Sequence, residues 1–463
     1  MNVLLVANGF PPTARAGVEQ YTHALARSLR ESGHGVQVFC REASRQKTDY
    51  TVLDGEDEGI PVRRVVNNLM DAVRPEDFYR NPRIEGLFRK ALAEWRPDII
   101  HFQHVIGLSA TLLPVAAELG TSHLLTLHDY WYMCPTVHLL DSAMQLCVGA
   151  HRGADCERCL GSVDAATRRL HRLSWYRRLK DSVPESWWDP AQRLATRALA
   201  AVPRAGPAAG DRRQGPAAAA RVADMREYLA SCPCFVAPSH FVRDAYAGFG
   251  LPSERIEVIP LGMNPAGGQS SVAEGQGAYG RPGLRVGYIG TLYPHKGVDI
   301  LISAFRQVES PTARLAIHGY GSAEDPYPAR LRALARGDRR ITFMGPYDNR
   351  RVPELLAVTD VLVIPSRWHE TFSIAAREAL LAGVPVIASH VGAIPEVIRH
   401  EQNGLLVPPG DVAALASAIA QLAGDPGRVA RLRPSGRLPV SSMADHASAM
   451  VRLYGRLIAG TYP

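Results

Sequence analysis

Short apolar runs alternate with amphipathic segments along most of the chain, and this alternation predicts the elements of the fold. Runs such as VLLVA at 3–7 and VLVIP at 361–365 are typical of strands buried on both faces of a parallel sheet. Val18–Ser32 has apolar residues three or four positions apart and is predicted to be a helix. Two halves with this alternation predict an α/β protein of two doubly wound domains, with a ligand cleft at the carboxyl ends of the strands. The predicted strands are residues 3–7, 36–40, 98–102, 123–127, 234–239, 256–260, 284–290, 314–319, 341–345, 361–365 and 384–389.

The length and composition agree with a two-domain globular protein. The chain has 463 residues, of which 46% are apolar and 21% charged. A stretch rich in glycine and serine at 262–283 predicts the interdomain linker. We therefore expect an N-terminal domain over 1–261, with an insertion at about 130–225, and a C-terminal domain over 284–445. The last segment, 446–463, is expected to be a helix that packs back on the N-terminal domain.

The charge and the apolar runs exclude several classes of protein. The formal net charge of +7 comes mainly from arginine, since only four of the 52 basic residues are lysine. No basic stripe interleaved with aromatic residues follows a predicted strand, so nucleic-acid binding is not expected. The first strand lacks the basic start of a signal peptide, and no apolar run approaches the roughly 18 residues of a spanning helix. These features predict a cytoplasmic protein.

Residues 166–200 are basic and contain interspersed aromatic side chains. Such a segment can lie on an anionic membrane or contact a lipid-linked acceptor, which would give the protein a peripheral membrane contact. It can equally form helices that pack on the first domain. Both interpretations stay open.

Two glutamates eight positions apart mark the most informative stretch of the chain, RWHETFSIAAREAL at 367–380. Glu370 lies in the loop after a predicted strand, and Glu378 lies on the helix predicted at 373–381. The backbone N–H groups of Ser373–Ala375 point out of the helix N-terminus, which attracts phosphate. Carboxylates on either side can accept hydrogen bonds from sugar hydroxyls. This arrangement suits a nucleotide-sugar, although a capped, solvent-facing helix fits the two glutamates alone.

Three further loops end predicted strands at the same edge. GTLYPHKG at 290–297 combines glycines with Lys296, whose ammonium suits a diphosphate, although a surface lysine is the alternative. Gly17 lies at a helix start, where backbone amides can face an anion or a sugar. His128 and Asp129 follow a strand directly, so His128 is a site candidate, although a lone histidine is usually structural.

Together these motifs resemble the retaining GT-B glycosyltransferases of family 4. The resemblance covers nearly the whole chain except about 140–225 and the linker. The matching segments are AGVEQ (16–20), TLHDYW (126–131), APSHFVRDAY (237–246), GTLYPHKG (290–297), PSRWHETFSIAAREALLAGVPVIAS (365–389), GAIPEVI (392–398) and NGLLVPPGD (403–411).

The resemblance assigns a role to each motif. It implies that Glu370 contacts the transferred sugar, that Glu378 contacts the nucleotide ribose and that Lys296 holds the donor diphosphate. It also implies that Gly17 and His128 lie at the reacting sugar. The catalytic candidates are thus His128, Glu370 and Lys296. The donor-binding candidates are Gly17, Gly290, Thr291, Lys296, Arg243, Glu370, Phe372, Ser373, Ile374, Ala375 and Glu378.

One departure from the family concerns the phosphate-binding charge. Many members carry an arginine where this chain has Thr291, and we consider Arg243 as a replacement.

The predicted activity is transfer of a sugar from a nucleoside diphosphate-sugar to an acceptor hydroxyl, with retention at the anomeric carbon. No cofactor is needed for catalysis, because Lys296 and the Ser373–Ala375 amides are placed to stabilise the leaving diphosphate. The acceptor is expected to be a sugar, a lipid-linked molecule or a small molecule of cell-surface glycan or natural-product biosynthesis. A nucleotide-sugar epimerase of the same fold and a catalytically degenerate partner subunit are the alternatives.

Four cysteines cluster after His128, and the last two form the sequence CERC. Cys134, Cys147, Cys156 and Cys159 have the number and spacing of ligands in a structural zinc site. Thiols without a common ligand are the alternative, since the chain is predicted to be cytoplasmic.

We predict one zinc ion per chain, measured by elemental analysis of the purified protein. Because a structural site contributes to folding, Cys156→Ser should lower stability more than it changes donor affinity. A zinc-free protein in which all four thiols titrate freely in the native state would contradict the prediction.

Overall fold

A computed structural model describes most of the two predicted domains. It covers residues 1–14, 16–44, 46–72, 74–141, 143–147, 156, 159, 217–263, 283–321, 325–434 and 440–462. The basic segment at 166–200 and nearly all of the predicted linker at 262–283 lie outside the described residues. The predictions made for them therefore stay predictions. Among the described helices, none combines the length and apolarity needed to cross a membrane.

The N-terminal domain is built on an eight-stranded sheet with the order β3-β4-β2-β1-β5-β6-β7-β8. All neighbouring strands are parallel except the edge pair β3 and β4. The hairpin of β3 and β4 was not predicted, because β3 is polar and half-exposed and two arginines interrupt the apolar residues of β4. The strands are β1 (Asn2–Ala7), β2 (Gly35–Glu42), β3 (Val52–Asp57), β4 (Ile60–Val66), β5 (Ile99–Phe102), β6 (His123–Thr126), β7 (Phe235–Ala237) and β8 (Ile256–Val258).

Helices cover both faces of this sheet and bury its apolar side chains. The helix predicted at Val18–Ser32 forms at Gly17–Glu31, with Tyr21, Leu25 and Leu29 buried. The described helices of the domain are α1 (Gly17–Glu31), α2 (Pro82–Trp95), α3 (Leu112–Glu118), α4 (Ala217–Ala230) and α5 (His240–Phe249).

The C-terminal domain has a six-stranded parallel sheet with the order β11-β10-β9-β12-β13-β14. Its strands are β9 (Arg285–Ile289), β10 (Arg314–His318), β11 (Ile341–Gly345), β12 (Val361–Ile364), β13 (Val386–Ser389) and β14 (Gly404–Val407). Its helices are α6 (Val298–Arg306), α7 (Tyr327–Leu334), α8 (Val352–Ala357), α9 (Ile374–Leu381), α10 (Val412–Gly424) and α11 (Pro426–Arg431). The prediction of an α/β protein with two doubly wound, Rossmann-like domains is confirmed.

The chain ends in helix α12 (Met443–Ile458), which packs on the N-terminal domain. The helix begins three residues before the expected position 446, because the Ser442 hydroxyl accepts a hydrogen bond from the Asp445 backbone N–H and caps the first turn. One face of α12 is buried in the same cluster as β1, β2 and α1. The last helix therefore completes the core of the first domain.

Contacts between the domains bring the carboxyl ends of the two sheets together. The hydroxyl of Thr371 donates to the carbonyl oxygen of His128 at 2.9 Å. The carboxylate of Glu396 accepts from the backbone N–H groups of His240 and Phe241, at 3.1 and 2.7 Å, and so caps α5 from the other domain. The loops after β6 and β12 consequently face each other across the cleft.

Candidate active site

Glu370 is held by three donors that converge on one carboxylate oxygen. Its Oε1 accepts hydrogen bonds from Nζ of Lys296 at 2.8 Å, from the hydroxyl of Ser366 at 2.6 Å and from Nε1 of Trp368 at 2.8 Å. Glu370 is only 5% exposed. None of the described residues hydrogen-bonds to Oε2, so this oxygen is available to a ligand hydroxyl.

The ion pair keeps the Glu370 carboxylate charged in spite of its burial. Burial would raise the pKa of Glu370, but the charge of Lys296 and the hydrogen bonds from Lys296, Ser366 and Trp368 lower it below its ordinary value. The ammonium of Lys296 also lies 4.9 Å from the centre of the Trp368 ring. Glu370 is therefore an ionised hydrogen-bond acceptor at neutral pH.

Two glycines hold the loops of this ion pair against each other. Gly297 has φ +69°, and a Cβ built on it would lie 1.9 Å from the carbonyl oxygen of Pro365. Gly392 has φ +60°, and its Cβ would lie 2.4 Å from the carbonyl oxygen of Glu370, which also accepts from the Ala393 N–H at 2.7 Å. No other residue type fits at these two positions without a backbone shift.

The N-terminus of α9 lies directly after Glu370 and is open to a ligand. Its N-cap, Ser373, has φ +55° and ψ +76°, and no side chain caps the helix. The first backbone N–H groups of a helix have no partner within it, and Ile374 in the first turn is 39% exposed. Phe372 is buried, with the guanidinium carbon of Arg377 3.6 Å from its ring centre. The amides of Ile374 and Ala375 therefore have no cap from Ser373 at this helix start.

Glu378 lies one turn further along α9 in a very different environment. Burial raises its pKa from 4.5 to about 7, and none of the described residues hydrogen-bonds to its carboxylate. Burial and then the charge of Glu378 raise the pKa of Tyr347, to which Tyr320 also contributes. Tyr320 is 45% exposed. Glu378 thus combines an unpaired carboxylate with one neighbouring tyrosine, Tyr347.

His128 faces the cleft from the N-terminal domain. Its Nε2 lies 2.8 Å from the amide oxygen of Gln103, and its ring meets that of Tyr21 edge to face. Burial, followed by the neighbouring histidines, lowers the pKa of His128 to about 3, so the ring is neutral. Nε2 therefore carries the proton, and none of the described residues hydrogen-bonds to Nδ1. A Cβ added to Gly17 at the start of α1 would meet no atom within 4 Å, so this amide borders open space.

Three other predicted donor-binding residues do not reach the ion pair. Gly290 ends β9 with φ +158°. The carbonyl oxygen of Thr291 accepts from the Tyr288 hydroxyl at 2.7 Å. The guanidinium of Arg243 binds the adjacent carboxylate of Asp244 at 2.8 Å. The described contacts do not bring Arg243 to the donor-binding residues of the other domain.

Sequence and structure comparisons identify the family. Residues 16–262 match the family described as Glycosyl transferase 4-like domain, and residues 283–425 match the one described as Glycosyl transferases group 1. The first match alone spans more than half of the chain. The chain belongs to this glycosyltransferase family. The prediction of a glycosyltransferase is therefore confirmed.

Relatives of this glycosyltransferase cover the chain to different extents. The glycogen synthase of Mycobacterium tuberculosis is 24% identical over 98% of this chain and 94% of its own. An uncharacterized glycosyltransferase of Methanocaldococcus jannaschii is 30% identical over 43% of this chain, which corresponds to 54% of its own length. Sucrose-phosphate synthase from Thermosynechococcus elongatus has a similar structure, with a TM-score of 0.62 and 19% identity over 99% of this chain and 100% of its own. The protein HepE of Anabaena, solved with UDP and glucose, has a TM-score of 0.58 and 18% identity over 100% of this chain and 99% of its own. These structures support the GT-B fold.

The cysteines after His128 are close to one another in this glycosyltransferase. Burial, and then the charges of Cys134, Cys147 and Cys159, raise the pKa of Cys156 to about 11. Within the described part of the chain, however, no three cysteine, histidine, aspartate or glutamate side chains are arranged to hold a metal ion. The zinc site stays a prediction.

A cavity of about 800 Å³ borders the Lys296 loop without containing any predicted site residue. Its walls come from the loop at 143–146, from Pro294 and from the α6–α7 side of the C-terminal domain, including Arg330 and Arg367. Arg367 binds Asp299 at 2.8 Å. Glu370, Glu378 and His128 do not line this cavity.

We predict that Glu378→Gln stabilises the free protein at high pH. The folded-state pKa is raised, so the native protein retains a proton that the unfolded chain loses as the pH rises from about 4.5 to about 7. Above pH 7 the buried charge costs stability, and the substitution should raise the free energy of unfolding by about 1–2 kcal/mol at pH 8. The gain should shrink toward pH 4.5. Denaturant unfolding at both pH values measures it, with the exposed Glu309→Gln as control; an equal effect of the two substitutions would show that Glu378 is not buried as an unpaired charge.

Proposed function

We propose that the protein transfers a sugar from a nucleoside diphosphate-sugar to an acceptor hydroxyl, with retention of anomeric configuration. The observation that carries the proposal is the position of Glu370. Its ionised carboxylate is bound to Lys296 on one oxygen and precedes the uncapped start of α9. The next residue, Thr371, contacts the backbone carbonyl of His128 across the cleft. This arrangement supplies a cation and amide donors for a diphosphate beside acceptors for a sugar.

The donor is proposed to lie along α9. The amides of Ile374 and Ala375 and the ammonium of Lys296 bind its diphosphate, because both are donors at the same edge of the sheet. Glu378 accepts hydrogen bonds from the ribose hydroxyls, and these bonds stabilise its otherwise unpaired carboxylate. Tyr347 beside Glu378 provides an aromatic surface for the base.

Catalysis in this proposal consists of positioning and electrostatic stabilisation. Negative charge develops on the leaving diphosphate, where Lys296 and the α9 amides stabilise it without a metal ion. The free Oε2 of Glu370 accepts from a hydroxyl of the transferred sugar. His128 is neutral and donates a hydrogen bond through Nε2 to Gln103. Its Nδ1 accepts a hydrogen bond from a sugar hydroxyl. Retention through attack on the face of the leaving group follows from the family resemblance.

The comparisons support a nucleotide-sugar donor. The Anabaena neighbour was solved with UDP and glucose, and again with UDP-glucose. Another neighbour, a trehalose-6-phosphate protein from E. coli, was solved with UDP-2-fluoro glucose. We propose a uridine or other nucleoside diphosphate donor, and an acceptor of cell-surface glycan or natural-product biosynthesis. The presence of all three of Lys296, Glu370 and Glu378 argues against a degenerate subunit.

We predict that the protein releases free nucleoside diphosphate from one member of a panel of nucleotide-sugars. Slow hydrolysis without an acceptor is expected, because water can replace the acceptor hydroxyl. Coupled detection of the diphosphate and NMR of the product sugar measure the release and its anomeric form. His128→Ala is the matched control and should lose turnover while it still binds the diphosphate. A product with inverted configuration, a new epimeric nucleotide-sugar or no turnover of any donor would contradict the proposed function.

A further inference from the structure

Tyr21 of the N-terminal domain connects helix α12 to His128 in the cleft. The Oη atom of Tyr21 lies 2.5 Å from Nε2 of His446 in α12. The ring of Tyr21 also meets the ring of His128, with 5.1 Å between centroids and 63° between planes. Tyr21 therefore contacts both the last helix of the chain and the histidine proposed to bind the sugar.

The partner of His446 at Nδ1 determines which atom donates in each of these hydrogen bonds. Nδ1 of His446 lies 2.9 Å from the carbonyl oxygen of Pro260, which can only accept, so Nδ1 carries the proton. Burial lowers the pKa of His446 to about 4 and raises the pKa of Tyr21, so both side chains are neutral. Nε2 of His446 therefore accepts a hydrogen bond from the Tyr21 hydroxyl. The imidazole is fixed at both nitrogens, and it fixes the tyrosine.

Two contacts restrain the ring of His128. Gln103 binds its Nε2 at 2.8 Å, and the Tyr21 ring packs against it. Tyr21 is 5% exposed, and it lies four residues after Gly17 in α1. A rotation of the Tyr21 ring would remove the packing contact and leave, among the described contacts of the His128 ring, the hydrogen bond to Gln103.

We propose that Tyr21 and His446 are positioning residues that hold the His128 imidazole toward the cleft. This inference rests on the proposed function, because it assigns consequences to the contact of His128 with the sugar. The last helix of the chain then serves the reaction as well as the core of the first domain. Loss of the Tyr21 hydroxyl should loosen His128 while the ring and the core stay in place.

The same helix supplies a matched control. The hydroxyl of Tyr454 in α12 lies 2.6 Å from Nδ1 of His101, whose Nε2 lies 2.7 Å from the hydroxyl of Thr126. This is also a buried tyrosine–histidine hydrogen bond that joins α12 to the N-terminal domain. Tyr454 has no described contact with His128. Tyr454→Phe therefore removes a comparable bond and leaves the Gln103 and Tyr21 contacts of the His128 ring in place.

Kinetics of Tyr21→Phe and Tyr454→Phe, each alone and combined with His128→Ala, test the proposal. Both single variants should lower the melting temperature to a similar extent. Tyr21→Phe should lower kcat by about tenfold, with KM and the affinity for UDP unchanged, whereas Tyr454→Phe should keep kcat within about twofold. In the His128→Ala background, Tyr21→Phe should have no further effect on kcat. Equal losses of kcat in the two single variants would overturn the positioning role. So would a loss of kcat of about tenfold on adding Tyr21→Phe to His128→Ala.

Crystal structures of the two single variants test the same proposal without reference to activity. His128 should adopt more than one ring orientation in Tyr21→Phe and a single orientation in Tyr454→Phe. A single, unchanged orientation in Tyr21→Phe would overturn the proposal even if the enzyme is active. If no donor is turned over, the proposed function fails while these structures still decide the positioning role.

Discussion

The ion pair between Lys296 and Glu370 is the interaction on which the rest of the site depends. It joins the loop after β9 to the loop after β12, and Ser366 and Trp368 add two more donors to the same carboxylate oxygen. Because Glu370 is almost completely buried, its charge is tolerated only with these partners. The backbone contact of Gly392 then fixes the carbonyl side of the same residue. A rigid carboxylate follows, with one oxygen occupied and one open.

This constraint separates the two glutamates into different chemical states. Glu370 has its pKa lowered by partners, whereas Glu378 has no described partner and has its pKa raised to about 7 by burial. A half-buried, unpaired carboxylate costs stability, so its presence is explained most simply by a ligand that supplies donors. The N-terminal domain meets this cluster through Thr371 and His128. The site is therefore assembled from both domains, and the return of α12 to the first domain contributes to that assembly.

Much of this arrangement could be predicted from sequence, because the chain's apolar runs and glycine loops are local features. Runs such as 3–7 and 361–365 identified the buried parallel strands and hence the edge that carries the chemistry. The hairpin β3–β4 was missed, since β3 has few apolar residues and two arginines interrupt those of β4. Arg243 was considered as a phosphate ligand from its place in a motif; in the structure its guanidinium is paired with the adjacent Asp244, and its role stays a prediction. The rotamer that such a side chain adopts cannot be read from spacing.

Contacts between distant segments also could not be predicted from the sequence. Trp368 lies within the motif that includes Glu370, yet its hydrogen bond to Oε1 depends on the fold of the loop. Gln103 and Tyr21 restrain His128 from separate elements, and neither has a sequence pattern that distinguishes it from a core residue. The pKa of Glu378 likewise depends on burial that arises only in the folded domain.

The affinity of Glu370→Gln for UDP, measured by calorimetry beside its turnover, tests the central claim most directly. In the free protein the Lys296 ammonium is bound to Glu370, and the account requires the diphosphate to compete for that ammonium. Removal of the Glu370 charge should therefore leave UDP affinity unchanged or increased, while turnover falls by about 100-fold or more because the sugar loses its charged acceptor. Lys296→Met, as the matched variant, should lose UDP affinity. Equal losses of affinity in the two variants, or normal turnover in Glu370→Gln, would contradict the account.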